Sequence, residues 1–569
     1  CESSRPYPDS SDMPVAASQQ QNSIQRSPEP PIDTCAAQDC YEHGHSVRRT
    51  AVLFFLCLIP FWSIPLAHVI SQPETATGFF NYELPYYVAN GRAAFDRGNG
   101  VTYPNPYLAD EEAPAIYAHW LLWLMGVATA VVGVDPGDLI LIATLSASVL
   151  FAWTTWQLVG VRVRGVARRR AAFAGAMLGG GLLAGGGLYS ALLGGGSLLQ
   201  FDPGKGLWFL NWGRNCLFPT EAVYHAVVAS CWLSEIRGRQ RAANFFLVLL
   251  ATTHPWSGIE LLLTVNLFRG VVWLRQRDRA NLTQVALSAS VLVAFLVYYK
   301  IWLPAFPTHA SLQQVWNLNW RVEYLTALLA WGPVAVAALV YVRTCAARMS
   351  RADRFLLCAF VVAFSLSMHD RLINPIQPLH FTRGYVWMPL FLLGLPVWMA
   401  WGRGGLQKTQ GWAQTGKLVI AATLLLLIVS DNLVFAAVHF QRQVQQADGF
   451  HLTSDERSLF AALGRPECAG RVTLTESEKI NYLLPTWVAV RPWVGHQFNT
   501  PDYAERMHVW SACFQQERVD ADSVPADVTQ IVVRSDTDSQ CLQAEWMQVP
   551  AGNARWKIWH RQPTSDRDE

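Results

Sequence analysis

From residue 48 to about residue 440, apolar runs of membrane-span length alternate with short polar connections rich in arginine, the signature of a polytopic membrane protein. Runs at 51–70, 139–159, 171–193, 220–236, 285–302, 324–342, 355–368, 385–401 and 418–438 each read as one crossing. Residues 245–251 and 259–274 form a helical pair interrupted by THPWSG at 253–258. The connections at Arg48–Arg49, at Arg162, Arg164, Arg168, Arg169 and Arg170, at 237–241, at 275–279, at Arg343 to Arg354 and at 403–417 are basic, which places them all in the cytoplasm. The apolar stretch 116–133 is the exception. If it crossed, the arginines of 162–170 would fall outside, so it is read as a juxtamembrane helix. The predicted fold is mostly α: a transmembrane helical bundle of about eleven spans, with the N-terminus inside and a C-terminal extracytoplasmic α/β domain.

On this reading the chain divides into a disordered cytoplasmic tail, 1–47, a bundle, 48–440, with a large first outer loop at 72–115, and a soluble domain, 441–569. The tail is rich in Pro, Ser, Gln and Asp and lacks the apolar residues a core needs. In the C-terminal domain the pattern predicts a helix near 454–463 and strands at 471–475, 530–534 and 556–560. Over the whole chain 51% of residues are hydrophobic and 15% charged, well below the charge of a soluble domain. A net charge of +2 gives no footprint for nucleic acid.

Eleven cysteines are scattered, several inside apolar runs, where they act as small hydrophobes. Cys468, Cys513 and Cys541 lie in the extracytoplasmic domain, where one disulfide would be permitted. Cys35, Cys40, His43 and His45 have the donor types of a zinc site, against the simpler reading of a polar tail.

The candidate chemistry gathers in the outer loops. Residues 80–87, FNYELPYY, put Glu83 among tyrosines just after the first span. A carboxylate there suits a general base, with its affinity for the proton raised by poor hydration, or it is a solvated loop acid. In the second outer loop Asp202 and Lys205 lie in FDPGKG, a turn in its own right. The sharper reading makes Asp202 a second acid, and Lys205 or Arg214 a phosphate contact. HFTRGY at 380–385 offers His380 and Arg383, the arginine either gripping a phosphate bidentately or snorkelling to the interface. His254 sits in the 253–258 break, which Pro255 alone explains. His119 opens the juxtamembrane helix. No Walker A, GxSxG, HExxH or dinucleotide fingerprint stands in a suitable context.

The combination of Asn81-Tyr82-Glu83-Leu84-Pro85-Tyr86-Tyr87 after one span, IYAHWLLWLMG at 116–126, and a span ending in VRVRGVARRR resembles the GT-C superfamily of membrane glycosyltransferases. That family carries an acid pair in its first loop; here Asn81 holds the position two before Glu83. The resemblance implies a polyprenyl-phosphate sugar as donor and transfer to an acceptor on the outer face. Glu83 would then be the base, with Asp202 assisting and Arg383 on the donor phosphate, and a divalent metal ion is the one cofactor left open. The implied setting is a bacterial inner membrane, with membrane lipid as the other partner. Two other readings stay open: a multispan transporter built on the 253–258 break, or a non-catalytic assembly protein whose outer domain docks a partner.

Overall fold

The computed structural model describes residues 32–201, 211–316, 321–374, 376–407, 412–515 and 517–562. Asp202 and Lys205, and the side chains of Cys35, Cys40, His43 and His45, lie outside the described residues. The first helix, α1, runs Ile32–Ser71, so its helical backbone begins well before the arginine pair expected to open it.

Among the described residues, five helices are long and apolar enough to cross a membrane: Val47–Ser71, Pro136–Val159, Pro255–Gln276, Arg279–Ala305 and Tyr324–Arg348. This is an integral membrane protein. A bent pair, Val166–Leu178 and Leu183–Leu192, makes a sixth if it is one span. Shorter apolar helices cover Trp120–Val131, Gln240–Ala251 and Trp387–Trp401.

The segment expected to be an outer loop contains a helix, α2 (Glu83–Asp96), which starts at Glu83 itself. Its apolar positions Leu84, Val88, Ala89 and Ala93 are buried, so a loop reading based on the local acids missed a face hidden by tertiary packing. Helix α3 (Trp120–Gly126) packs on α2. Gly91 and Gly126 allow that contact, because a Cβ on Gly126 would meet the Gly91 carbonyl oxygen at 2.1 Å.

Helix α4 (Pro136–Val159) opens with Asp135 as N-cap and Pro136 at the first helical position, a strong local start signal. The stretch expected to cross once at 171–193 is broken into α5 (Val166–Leu178) and α6 (Leu183–Leu192), bent by 53°. The break falls at Gly179-Gly180-Gly181. The Asp431 carboxylate accepts from the N–H of Gly181 (2.7 Å) and of Ala184 (2.8 Å), capping the second half. The Gly180 carbonyl accepts from Trp387 Nε1 (3.0 Å). A Cβ on Gly181 would lie 2.4 Å from two carbonyl oxygens of residues 329 and 330.

Helices α7 (Pro219–Ile236), α8 (Gln240–Ala251), α9 (Pro255–Gln276) and α10 (Arg279–Val297) follow, and α7 packs along α4. A short α11 (Pro307–Val315) precedes α12 (Tyr324–Cys345), α13 (Arg351–Ser367), α14 (Trp387–Gln407) and α15 (Trp412–Val444).

The C-terminal region holds α16 (Ser454–Leu463), α17 (Glu478–Trp487) and α18 (Tyr503–Cys513) around a five-stranded mixed sheet. Its strands are β1 (Val472–Thr475), β2 (Arg491–Pro492), β5 (Gln530–Arg534), β6 (Trp546–Val549) and β7 (Trp556–Arg561), in the order β2-β1-β5-β7-β6. A small hairpin of β3 (Phe514–Gln515) and β4 (Arg518–Val519) lies apart from it. Strand β1 pairs in parallel with β2 and β5, while β7 runs antiparallel to β5 and β6. Cys468, Cys513 and Cys541 are all free thiols.

The first loop and this region share a core. Ala89 and Tyr107 are buried among Leu459, Phe460, Ile480 and Leu483. Tyr107 donates to the Tyr482 carbonyl (3.1 Å), Asn105 Nδ2 to the Asn499 carbonyl (2.6 Å) and Arg491 Nη1 to the Ala109 carbonyl (3.0 Å).

Candidate active site

A cavity of about 700 Å³ opens where α2, the start of α7, the α8–α9 break, the end of α10 and residues 376–383 meet the 496–499 loop. Of the residues singled out from the sequence, Glu83, His119, His254, His380 and Arg383 all line it. Arg214 does not. It is buried elsewhere, donating from Nε to Asn432 Oδ1 (3.1 Å), with Nη2 3.7 Å from Asp431.

Glu83 reaches the cavity as the first residue of α2. Asn81 Oδ1 accepts its backbone N–H at 3.0 Å and so marks the helix start. An acid in the first turn also complements the helix dipole. The side chain is half-buried.

Arg383 lines the same cavity from the turn before α14. Its Nη1 donates to Oε1 of Glu221, in the first turn of α7, where Pro219 sets the helix start. Both side chains are buried, at 6% and 3% exposure. The Arg383 main chain is pinned as well: its carbonyl accepts from Asn215 Nδ2 (2.8 Å) and lies 2.7 Å from His225 Nε2. Gly384 makes this turn possible. Its φ is +82°, and a Cβ there would sit 2.6 Å from Trp212 Cα.

Tyr87 lies among these three charged groups. Burial first, then the negative charges of Glu83 and Glu221, push its phenol well up, and Arg383 opposes them. The Tyr86 phenol is pushed up to about 12, again chiefly by burial. These hydroxyls are neutral donors at any physiological pH.

The histidines are locked as helix caps. His119 Nδ1 accepts the Leu122 N–H (3.2 Å), which leaves its proton on Nε2, 3.0 Å from the Tyr224 hydroxyl. His254 Nδ1 accepts from the Ser257 N–H (3.2 Å) and hydroxyl (2.9 Å), and Tyr385 donates to that serine (2.8 Å). The Tyr224 ring stacks on His254 at 4.4 Å. Burial holds His119 down at about 3 and His254 well below its ordinary value. Both are neutral polar groups rather than cations. His380 sits against Trp256, with ring centroids 5.2 Å apart.

The wall opposite the bundle is aromatic. Tyr82 stacks on Tyr482 (4.7 Å), and His496 lies within 4.9–5.5 Å of the Tyr82, Tyr86, Tyr107 and Tyr482 rings. The chemistry available is therefore one half-buried carboxylate, one buried guanidinium–carboxylate pair, the exposed ammonium of Lys300, a set of neutral donors and an aromatic wall. Among the described residues no three His, Cys, Asp or Glu side chains come together to hold a metal ion.

Sequence reasoning missed Glu221 and Tyr224, which fell inside a run read only as a span. The signal was there: an ionisable residue within an apolar crossing is costly and marks a site by default.

No family model matches this chain, and no curated protein matches it in sequence. Among solved structures it is similar to the archaeal oligosaccharyltransferase AglB from Archaeoglobus fulgidus, in complex with an inhibitory peptide and a dolichol-phosphate. That match has 10% identity and a TM-score of 0.46, over 89% of this chain and 74% of that one. It is also similar to ArnT from Cupriavidus metallidurans in the apo state, with 14% identity and a TM-score of 0.41, over 90% of this chain and 97% of that one.

Proposed function

We propose that this chain is an integral membrane glycosyltransferase of GT-C type, moving a sugar from a polyprenyl-phosphate donor to an acceptor on the outer face of the membrane. The observation that carries this reading is the meeting of Glu83, Glu221 and Arg383 in one cavity walled by tyrosines. The cytoplasmic N-terminus, about eleven crossings and a bacterial inner membrane belong to the same proposal, and rest on the arginine-rich connections and the positive-inside rule.

In this mechanism Arg383 binds the donor phosphate, for which a planar guanidinium is well shaped. Glu221 keeps that guanidinium paired and oriented until the phosphate arrives. Glu83 takes the proton from the acceptor hydroxyl or amine as the acceptor attacks the anomeric carbon. The carbon–oxygen bond to phosphate breaks, and the polyprenyl phosphate leaves with its charge on Arg383. The neutral phenols of Tyr86 and Tyr87 and the histidine caps shape the sugar pocket with hydrogen bonds, and the aromatic wall offers ring faces to it. Asp202 and Lys205 stay with this proposal as expectations from the sequence.

The test is transfer from short polyprenyl-phosphate sugars by the purified protein in lipid vesicles, with and without Glu83→Gln. Acceptor-dependent release of polyprenyl phosphate, lost in the variant, supports the reading. The same rate in both overturns it. The broken pairs at 179–181 and 252–254 favour a transporter as second reading. That reading predicts substrate flux across the vesicle wall which survives Glu83→Gln.

A further inference from the structure

Outside the cavity, three segments meet over the end of α1: the helix end itself, the first loop at 72–80, and the chain leaving α15. They enclose His68, Gln443 and His451. His68 and Gln443 are buried, at 0% and 1% exposure. The two ring nitrogens of His68, His451 Nε2 and Gln443 Oε1 make no hydrogen bond of good geometry, Gln443 only approaching His68. Buried polar atoms are almost always satisfied, so four orphans in one place call for an occupant.

The surroundings orient these atoms. Thr75 Oγ1 gives its own hydrogen to Gln72 Oε1 (2.9 Å) and lies 3.3 Å from His451 Nδ1. His451 therefore donates from Nδ1, and its Nε2 presents a bare lone pair. An oxygen bonded to the far ring nitrogen prepares a metal-binding histidine in this way. Gln443 donates from Nε2 to the Phe80 carbonyl (2.8 Å), which turns its Oε1 inward beside His68. The two imidazole centroids are 4.6 Å apart. With a metal about 2.0–2.1 Å from each nitrogen, and so about 3.2 Å from each ring centre, that separation corresponds to an angle of about 90° at the ion. Gly449 closes one side: a Cβ there would lie 2.8 Å from His68 Nδ1.

We propose that His68, His451 and Gln443 Oε1 bind a borderline divalent transition metal of the zinc class, which clamps the C-terminal region to the end of the first span. Imidazole suits such ions, and the amide oxygen with a water completes the shell. Lys479 donates to the His451 carbonyl but is itself paired with Glu456, at 2.7 Å, so its charge is compensated locally.

The experiment uses full-length protein purified without a polyhistidine tag and stripped with chelator. It is titrated with Zn²⁺ while thermal stability is followed, and with Co²⁺ while visible absorption is followed. One saturable equivalent is expected, with a rise in Tm. It should persist when Cys35→Ser, Cys40→Ser, His43→Ala and His45→Ala are combined, and disappear with His451→Ala. Thr75→Val keeps every ligand and should weaken binding by about 10–100-fold. It decides the matter even if the histidine variant does not fold. Absence of a saturable equivalent, its loss with the tail variants, or unchanged affinity in Thr75→Val overturns the proposal and leaves the space to a buried water.

Discussion

Arg383 and Glu221, 162 residues apart in sequence, form a buried ion pair that lines the cavity beside Glu83. A buried pair is stable only while both partners are present, since either one alone is an uncompensated charge in a medium that solvates it poorly. Arg383→Met should therefore destabilise the protein by about 3–5 kcal/mol. Adding Glu221→Gln should recover most of that loss, while transfer activity stays absent. Thermal unfolding of the single and double variants, read beside the activity assay, checks both halves.

Glu83 is half-buried at the start of α2 and lines the cavity. Glu83→Gln should leave Tm nearly unchanged and lower the transfer rate by about 10²–10⁴-fold, the range for loss of a general base. A drop in Tm as large as that of Arg383→Met would assign Glu83 to the fold instead.

Gly384 combines a φ of +82° with backbone contact to Trp212. Gly384→Ala should cost more than the roughly 1 kcal/mol of an ordinary strained glycine replacement, because Trp212 and Arg383 must both shift. Lower thermal stability together with a raised KM for the donor is the expected pair of results.

Asp431 caps α6 and faces the buried Arg214. Asp431→Ala removes both functions, and taking the carboxylate partner from a buried guanidinium costs about 3–5 kcal/mol. Asp431→Asn keeps one cap acceptor and should lose less. Equal Tm values for the two variants would remove the charge pairing from the account.

Burial lowers the folded-state values of His119 and His496 to about 3, from the ordinary 6.5. Their contribution to stability is therefore complete above pH 6.5. It declines as pH falls from there toward 3, since only the unfolded chain takes up protons in that window. Each histidine adds at most about 1.4 kcal/mol per pH unit to the slope. Tm should be flat from pH 8 to 7 and fall below pH 6, and His496→Asn should flatten the fall.

Much of the architecture was legible in the sequence, because it depends on local pattern. Helix α16 has a complete capping box, Thr453 with Glu456, directly before its apolar positions. Strands β1, β5 and β7 fall on the short apolar runs that predicted them. The α8–α9 break follows from His254 capping and Pro255 at the first helical position. These signals act over a few residues, and tertiary contacts do not reverse them. Glu83, His119, His254, His380 and Arg383 were also visible, as polar groups at the ends of apolar runs.

Only the tertiary structure decided the rest. Helix α2 replaces an expected loop because its buried face is completed by α3 and by the C-terminal core. The run at 171–193 bends because an aspartate from α15 caps it in the middle. Arg214 and Arg383 looked alike as arginines in outer loops, yet one is sealed against Asp431 and the other lines the cavity with Glu221. Which carboxylate meets which guanidinium depends on how distant helices pack, and hydrophobic periodicity along the chain carries no information about that.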